Sequence, residues 1–209
     1  ENTHNFAGGV VTPPAISQRL CQELASRRVA THLDGARIFN AAVALGVPVA
    51  ELAKGFDSMM FCLSKGLGAP VGSLLLGSGE FIHRARSVRK MLGGGMRQAG
   101  VLAAAGLVAL EKGPAQLSVD HAHAQTLAKG LVTIAGVKLD PPEVATNIFI
   151  FDVSGTEFSA HHIVSKLAER NVLASALDPR RIRLVTHCDV DQAQCEEALF
   201  ALRAVIERE

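Results

Sequence analysis

The 209 residues are enough for one large domain or two small ones, each able to bury an apolar core. Hydrophobic residues make up 48% of the chain and charged residues 20%, which excludes an intrinsically disordered protein. The formal net charge of +1 argues against nucleic acid or an anionic membrane surface as a partner. No apolar run approaches the roughly 18 residues that a membrane span requires.

The first half of the chain alternates between helical and strand patterns. Its predicted helices and strands are, in chain order, helix 14–25, strand 29–33, helix 39–45, strands 58–63 and 71–76, and helices 80–91 and 98–110. Pro14 marks a helix start and Gly46 a helix end, because proline suits the first turn and glycine the left-handed residue after the last. Helix 80–91 carries a strongly basic face. This order predicts an α/β domain.

After Lys112-Gly113-Pro114 the pattern changes, and we place a domain boundary there. The predicted elements beyond it are helix 116–131, strands 137–139 and 147–153, helix 159–170, strand 182–186 and helix 191–209. Asp191 is the expected N-cap of the last helix. We therefore expect two domains, residues 1–112 and residues 113–209.

Redox state and location follow from the cysteines and from the start of the chain. Cys21, Cys62, Cys188 and Cys195 form no C-x-x-C pair, which predicts reduced thiols and a cytoplasmic protein. The chain begins at Glu1 without an initiator methionine, so we expect a fragment of a longer protein. A mitochondrial location stays open, since a targeting sequence would lie upstream.

Two charged residues stand at the ends of predicted strands, each followed directly by glycine. Asp34 closes the strand at 29–33, and Lys65 follows the strand at 58–63. An amine and a carboxylate at two strand ends of one α/β sheet are the groups that a pyridoxal phosphate (PLP) site needs. The amine bonds the cofactor, and the carboxylate pairs with its pyridinium nitrogen. The plainer alternatives are a turn residue for Asp34 and a solvated side chain for Lys65.

Five segments around these residues resemble the threonine aldolase family. They are Glu-Asn-Thr-His-Asn at 1–5, His-Leu-Asp-Gly-Ala-Arg-Ile-Phe-Asn at 32–40, Leu-Ser-Lys-Gly-Leu-Gly-Ala-Pro-Val-Gly-Ser at 63–73, Lys-Met-Leu-Gly-Gly-Gly-Met-Arg-Gln at 90–98 and Arg-Leu-Val-Thr-His at 183–187. The resemblance implies the aspartate-aminotransferase-like fold, PLP-dependent fold type I. Residues 1–112 would then be the C-terminal part of the large domain, and residues 113–209 the small α/β domain.

The resemblance also implies a reaction, a cofactor and an assembly. The family is a group of PLP-dependent lyases that cleave β-hydroxy-α-amino acids such as L-threonine and L-allo-threonine to glycine and an aldehyde. A homotetramer built from dimers, with active sites shared between subunits, is expected. Because the family's first large-domain strands are absent from this sequence, we expect an incomplete site that could be inactive. Two alternatives stay open, another PLP-dependent lyase or aminotransferase and a non-catalytic fragment or interaction module.

The resemblance assigns a role to each site residue that lies in a matching motif. Lys65 would be the Schiff-base lysine, Asp34 the partner of the ring nitrogen, and Arg37 a hydrogen-bond donor to the cofactor's phenolic oxygen.

Three further cations have implied roles. Arg97 would reach the cofactor phosphate of a neighbouring subunit. Lys90 would lie near Arg97 at the entrance of the site and bind the substrate, and Arg183 would bind the substrate's α-carboxylate. For Arg97 and Lys90 a solvated basic helix end is the alternative. The histidines show no metal-ligand spacing, so we expect no metal site.

Overall fold

The computed structural model describes residues 1–208 and divides the chain into two compact units. The first unit consists of Glu1–Thr3 and Val11–Gln116. The second consists of His4–Val10 and the chain from Leu117 onward. Residues 4–10 therefore group with the second unit, although they come near the start of the chain.

The first unit surrounds a three-stranded sheet in the order β1-β2-β3. Its elements are α1 (Pro14–Ser26), β1 (His32–Asp34), α2 (Ile38–Leu45), α3 (Val49–Ala53), β2 (Ser58–Cys62), β3 (Ser73–Gly77) and α4 (Gly79–Met91). β1 and β2 are parallel, and Asp34 lies opposite Met60. β3 runs antiparallel to β2. The strand and helix types predicted here are confirmed, and α3 is an element that the sequence reading missed.

Local sequence explains most of these boundaries. Pro14 occupies the first helical turn of α1, where a missing N–H costs no hydrogen bond. Gly46 ends α2 in the left-handed conformation with φ 65°, which residues with a Cβ disfavour. The Ser78 side chain accepts a hydrogen bond from the Phe81 N–H and so caps α4. On β2 the alternate side chains of Met59 and Phe61 are buried, the expected two-residue period of a half-covered strand.

One helix, α5 (Gly100–Leu131), replaces the two helices predicted on either side of Lys112-Gly113-Pro114. Glycine and proline ordinarily end a helix, and that rule was wrong here. A Cβ on Gly113 would lie 2.7 Å from the backbone oxygen of Leu67, so this glycine permits a close packing contact inside the helix. The division between the two units falls within α5, between Gln116 and Leu117.

The second unit is a four-stranded antiparallel sheet with helices. After α5 its elements are β4 (Lys138–Leu139), β5 (Ile148–Asp152), α6 (Ala160–Ala168), β6 (Ser175–Ala176), β7 (Arg181–Val185) and α7 (Gln192–Arg208), with sheet order β4-β5-β7-β6. Phe149 and Phe151 of β5 join an apolar core with side chains of α5, α6 and α7. The short strand β6 was not predicted, because two residues carry too little pattern.

The N-cap predicted for the last helix is confirmed. The Asp191 carboxylate accepts from the Gln194 N–H at 2.9 Å, and the Gln194 side chain accepts from the Asp191 N–H at 2.9 Å. This reciprocal pair satisfies two backbone donors at the start of α7.

A membrane-spanning helix and a cluster of metal-ligating side chains are both absent from the described part of the chain. No helix within residues 1–208 has the length and apolar character to span a membrane. The same residues contain no group of three or more His, Cys, Asp or Glu side chains placed to hold a metal ion.

The buried His121 on α5 predicts a pH-dependent stability for the second unit. Burial lowers the pKa of His121 to about 4, from an ordinary value of 6.5. Between these pH values the unfolded chain binds the extra proton more readily, so the free energy of unfolding should fall as pH decreases. The expected loss is about 1.4 kcal/mol per pH unit in that window.

Denaturant unfolding at pH 7, 6, 5 and 4.5 measures this dependence. His121→Gln should flatten the profile, whereas substitution of the exposed His161 by glutamine should leave it unchanged. Equal slopes for the wild type and His121→Gln would show that His121 does not control acid stability.

Candidate active site

Asp34 and Lys65 follow two neighbouring parallel strands of the first unit. Asp34 is the last residue of β1, and Lys65 comes three residues after the end of β2. Because β1 and β2 run in the same direction, their carboxyl ends meet at one edge of the sheet. Ligands of open α/β sheets bind at this edge. Both side chains are exposed there.

One hydrogen bond orients the Asp34 carboxylate, and another holds the Asp34 backbone. Its Oδ1 accepts from the Ala36 N–H at 2.9 Å, and its backbone oxygen accepts from the Asn2 N–H at 2.9 Å. The Asn2 side chain in turn donates to the Thr12 oxygen at 3.0 Å and accepts from the Thr12 N–H at 3.2 Å. Within the described part of the chain, no hydrogen bond to the Oδ2 atom of Asp34 is found, and this oxygen can accept from a ligand at the sheet edge.

Lys65 lies on a turn that backbone hydrogen bonds fix. The Gly68 N–H donates to the Lys65 oxygen at 2.9 Å, and the Ala69 N–H donates to the Leu63 oxygen at 3.0 Å. Gly68 has φ 80°, a conformation that favours glycine. No ion pair or hydrogen bond engages the Lys65 amine among the described residues. An amine without a competing carboxylate can react with a carbonyl group.

Gly35 and Arg37 follow Asp34 in the connection to α2. A Cβ on Gly35 would lie 2.7 Å from the Met60 oxygen, so only glycine allows this approach of the two strands. The Gly35 N–H donates to that same oxygen at 2.9 Å. Arg37 directly precedes α2 and is half-buried. This placement adds a guanidinium three residues beyond the carboxylate.

Arg97 and Lys90 are exposed cations of the first unit. Lys90 belongs to the last turn of α4, and a Cβ on Gly95 would lie 3.2 Å from the Lys90 Cδ. Gly95 therefore packs beside the Lys90 stem. Arg97 lies between α4 and α5 and is exposed.

Arg183 of the second unit is a half-buried cation on β7. One terminal nitrogen donates to the Asn5 side-chain oxygen at 3.0 Å. Its Nε is buried without a hydrogen-bond partner among the described residues. Buried guanidinium donors are ordinarily satisfied, so the Nε of Arg183 is an exception to that rule.

Sequence reasoning did not identify Asn2 and Asn5 as residues that hold these groups. Both lie in the Glu-Asn-Thr-His-Asn segment, whose match to the threonine aldolases was the available signal. His4 of the same segment caps a short 3-10 helix at Asn5–Ala7, where its Nδ1 accepts from the Ala7 N–H at 3.1 Å. His187 instead contacts the Asp189 carboxylate at 3.4 Å.

Comparison with known proteins identifies relatives over almost the whole chain. A family model described as Beta-eliminating lyase matches residues 1–154. Low-specificity L-threonine aldolase 1 of Arabidopsis thaliana is 45% identical over 188 residues, which cover 90% of this chain and 52% of that protein. Low specificity L-threonine aldolase of Escherichia coli K12 is 44% identical over 208 residues, covering 100% of this chain and 60% of the relative. The resemblance to threonine aldolases is confirmed.

A solved structure shares the fold. Threonine aldolase from Leishmania major superposes with a TM-score of 0.71 at 18% identity, covering 96% of this chain and 59% of that one. The fold predicted from the sequence, α/β fold type I of the aspartate-aminotransferase kind, is confirmed. The chain spans between half and about three-fifths of the length of these relatives.

Proposed function

The chain belongs to the beta-eliminating lyase family, and we propose that the whole protein is a threonine aldolase. It would cleave L-threonine or L-allo-threonine between Cα and Cβ into glycine and acetaldehyde. The observation that carries this proposal is the placement of Asp34 and Lys65 at the ends of parallel neighbouring strands. The 44–45% identity to threonine aldolases supports it.

Pyridoxal phosphate is the cofactor we propose, and the donor set of the first unit fits it. Lys65 offers an exposed amine that would bond the cofactor's aldehyde carbon. Asp34 offers Oδ2, an open carboxylate oxygen suited to a pyridinium N–H. Arg37 offers donors for the phenolic oxygen. When bound, the cofactor would accept the electron pair released as the Cα–Cβ bond breaks.

The protein's own groups would bind the substrate and keep protons in place. The Asp34 carboxylate would hold a proton on the ring nitrogen, since an adjacent negative charge favours the protonated form. Arg183, whose Nε is unpartnered among the described residues, would hold the substrate's α-carboxylate. The exposed Lys65 amine would also be able to carry a proton.

Product analysis tests the proposed reaction. Purified whole protein, supplied with pyridoxal phosphate and L-threonine, should release glycine and acetaldehyde in equal amounts. Release of ammonia and a 2-oxo acid, with no glycine, would assign the protein to an eliminating lyase. Transfer of the amino group to an added 2-oxo acid would assign it to the aminotransferases.

Arg183→Lys tests the proposed carboxylate contact. Lysine keeps the charge but loses the planar pair of donors, so KM for L-threonine should rise about 10- to 100-fold with a smaller change in kcat. Arg181→Lys is the matched control, because Arg181 lies on the same strand and already pairs with Asp178 at 2.6 Å. Equal KM changes in both variants would remove Arg183 from the substrate site.

We also propose a homo-oligomer whose subunits share active sites, with Arg97 and Lys90 turned toward a neighbour. Both side chains are exposed in the isolated chain, which supports this. Three leucines of β3, Leu74, Leu75 and Leu76, are 41–43% exposed and add apolar surface to the first unit. Sedimentation of the whole protein would show the assembly. A cytoplasmic location stays a prediction from the sequence.

A further inference from the structure

Two arginines on β7 differ in their hydrogen-bond partners, which are carboxylates for one and a neutral amide for the other. Arg181 donates to the Asp178 carboxylate at 2.6 Å and lies 3.4 Å from the Asp140 carboxylate. Arg183, two residues further on and on the same face of the strand, donates to the neutral side chain of Asn5. The charge of Arg181 is therefore neutralised within the protein. Among residues 1–208 no ion pair with a carboxylate is found for Arg183, so Asn5 orients its guanidinium without neutralising its charge.

We propose that Asn5 is a positioning residue that fixes the Arg183 guanidinium while leaving its full charge for the substrate's α-carboxylate. This inference rests on the proposed function, which assigns the carboxylate to Arg183. The chemistry of the contact supports it. Arginine can only donate hydrogen bonds, so the Asn5 atom at 3.0 Å must be the amide oxygen. An amide oxygen orients the donor without the competing negative charge that an aspartate would bring.

The segment His4–Val10 holds Asn5 rigidly. The His4 and Val10 backbones form an isolated antiparallel bridge, and the His4 N–H donates to the Val10 oxygen at 3.2 Å. The Gly8 N–H closes the turn by donating to the Asn5 oxygen at 3.3 Å. Because these bonds already order the Asn5 backbone, the contact with Arg183 costs only the rotamer freedom of the two side chains.

The same segment contacts the start of β5, the strand that pairs with the strand of Arg183. The Thr146 hydroxyl donates to the Gly9 oxygen at 2.9 Å. A Cβ on Gly9 would lie 2.9 Å from the Ile148 Cβ, so a glycine is needed for this approach. Arg183 pairs with Ile150, which lies on the same face of β5 as Ile148. Asn5 and Arg183 thus belong to one packed layer, and the guanidinium position follows from the fold.

Substitution of Asn5 in the whole protein, loaded with pyridoxal phosphate, separates charge from geometry. The ligands are glycine and 2-aminoethanol, which lacks the carboxylate, and their Kd values are read from the absorbance change of the cofactor. Asn5→Asp should raise the Kd for glycine about tenfold or more, because the new carboxylate pairs with Arg183. Asn5→Ala removes the hydrogen bond to the guanidinium without adding a charge, so it should raise the Kd for glycine about threefold. Binding of 2-aminoethanol should change less than about twofold in either variant.

The control variant is Asn171→Asp, which adds the same charge at an exposed position of the second unit. Its glycine Kd should stay at the wild-type value. Equal weakening of glycine by Asn5→Asp and Asn5→Ala, or equal weakening of both ligands, would overturn the inference and assign Asn5 a structural role. Wild-type protein that binds both ligands with the same Kd would instead overturn the assignment of Arg183, and with it the proposed carboxylate site.

Discussion

Lys65→Ala should abolish aldol cleavage by the whole protein, with a loss of at least about 10³-fold in kcat. The lysine amine is the group that would hold the cofactor covalently, and no other lysine occupies the turn after β2. The side chain is exposed and makes no ion pair with the residues that the structure describes, so the free energy of unfolding should change by less than about 0.5 kcal/mol. Acetaldehyde release and denaturant unfolding measure the two quantities.

Lys54→Ala is the matched control for this substitution. Lys54 is likewise exposed and belongs to the first unit, but it follows α3 and not a strand end. Its loss should leave turnover within about twofold of the wild type. Retention of more than a tenth of wild-type kcat by Lys65→Ala, in protein that unfolds normally, would contradict the assigned role.

Asp34→Asn should lower kcat about 10²- to 10³-fold with little effect on KM. Asparagine can still accept from the Ala36 N–H through its oxygen, so the local geometry should persist. The substitution removes the negative charge that would keep a proton on the pyridine nitrogen, and the cofactor then accepts electrons poorly. Steady-state kinetics with L-threonine would measure the change.

Asp57→Asn is the control for Asp34→Asn, because it removes a carboxylate at the other end of the sheet. The Asp57 carboxylate also accepts hydrogen bonds next to β1, from the Thr31 N–H at 2.7 Å and the Thr31 hydroxyl at 2.9 Å. These bonds hold the pKa of Asp57 below its ordinary value. Since Asp57 precedes β2, at the opposite end of the strand from Lys65, its neutralisation should leave kcat unchanged. A similar loss in both variants would indicate a structural effect on β1 and not a cofactor contact.

Local rules in the sequence predicted most of the element boundaries. Proline at the start of α1, glycine after α2 and the carboxylate cap of α7 each act over one turn, so neighbouring residues suffice to predict them. The same rules were wrong at Lys112-Gly113-Pro114. There the packing of Gly113 on Leu67, a residue distant in sequence, accompanies a continuous α5.

The sequence by itself determined the two strand-end residues, Asp34 and Lys65, and the family to which the chain belongs. Buried apolar runs and the glycines after them are local signals, and motif matches need no coordinates. Only the tertiary structure decided that β1 and β2 are parallel neighbours. It also decided that Asn5 contacts Arg183, a residue 178 positions away in the sequence. Strand pairing and such long-range hydrogen bonds depend on which segments pack together, and residue spacing does not encode that choice.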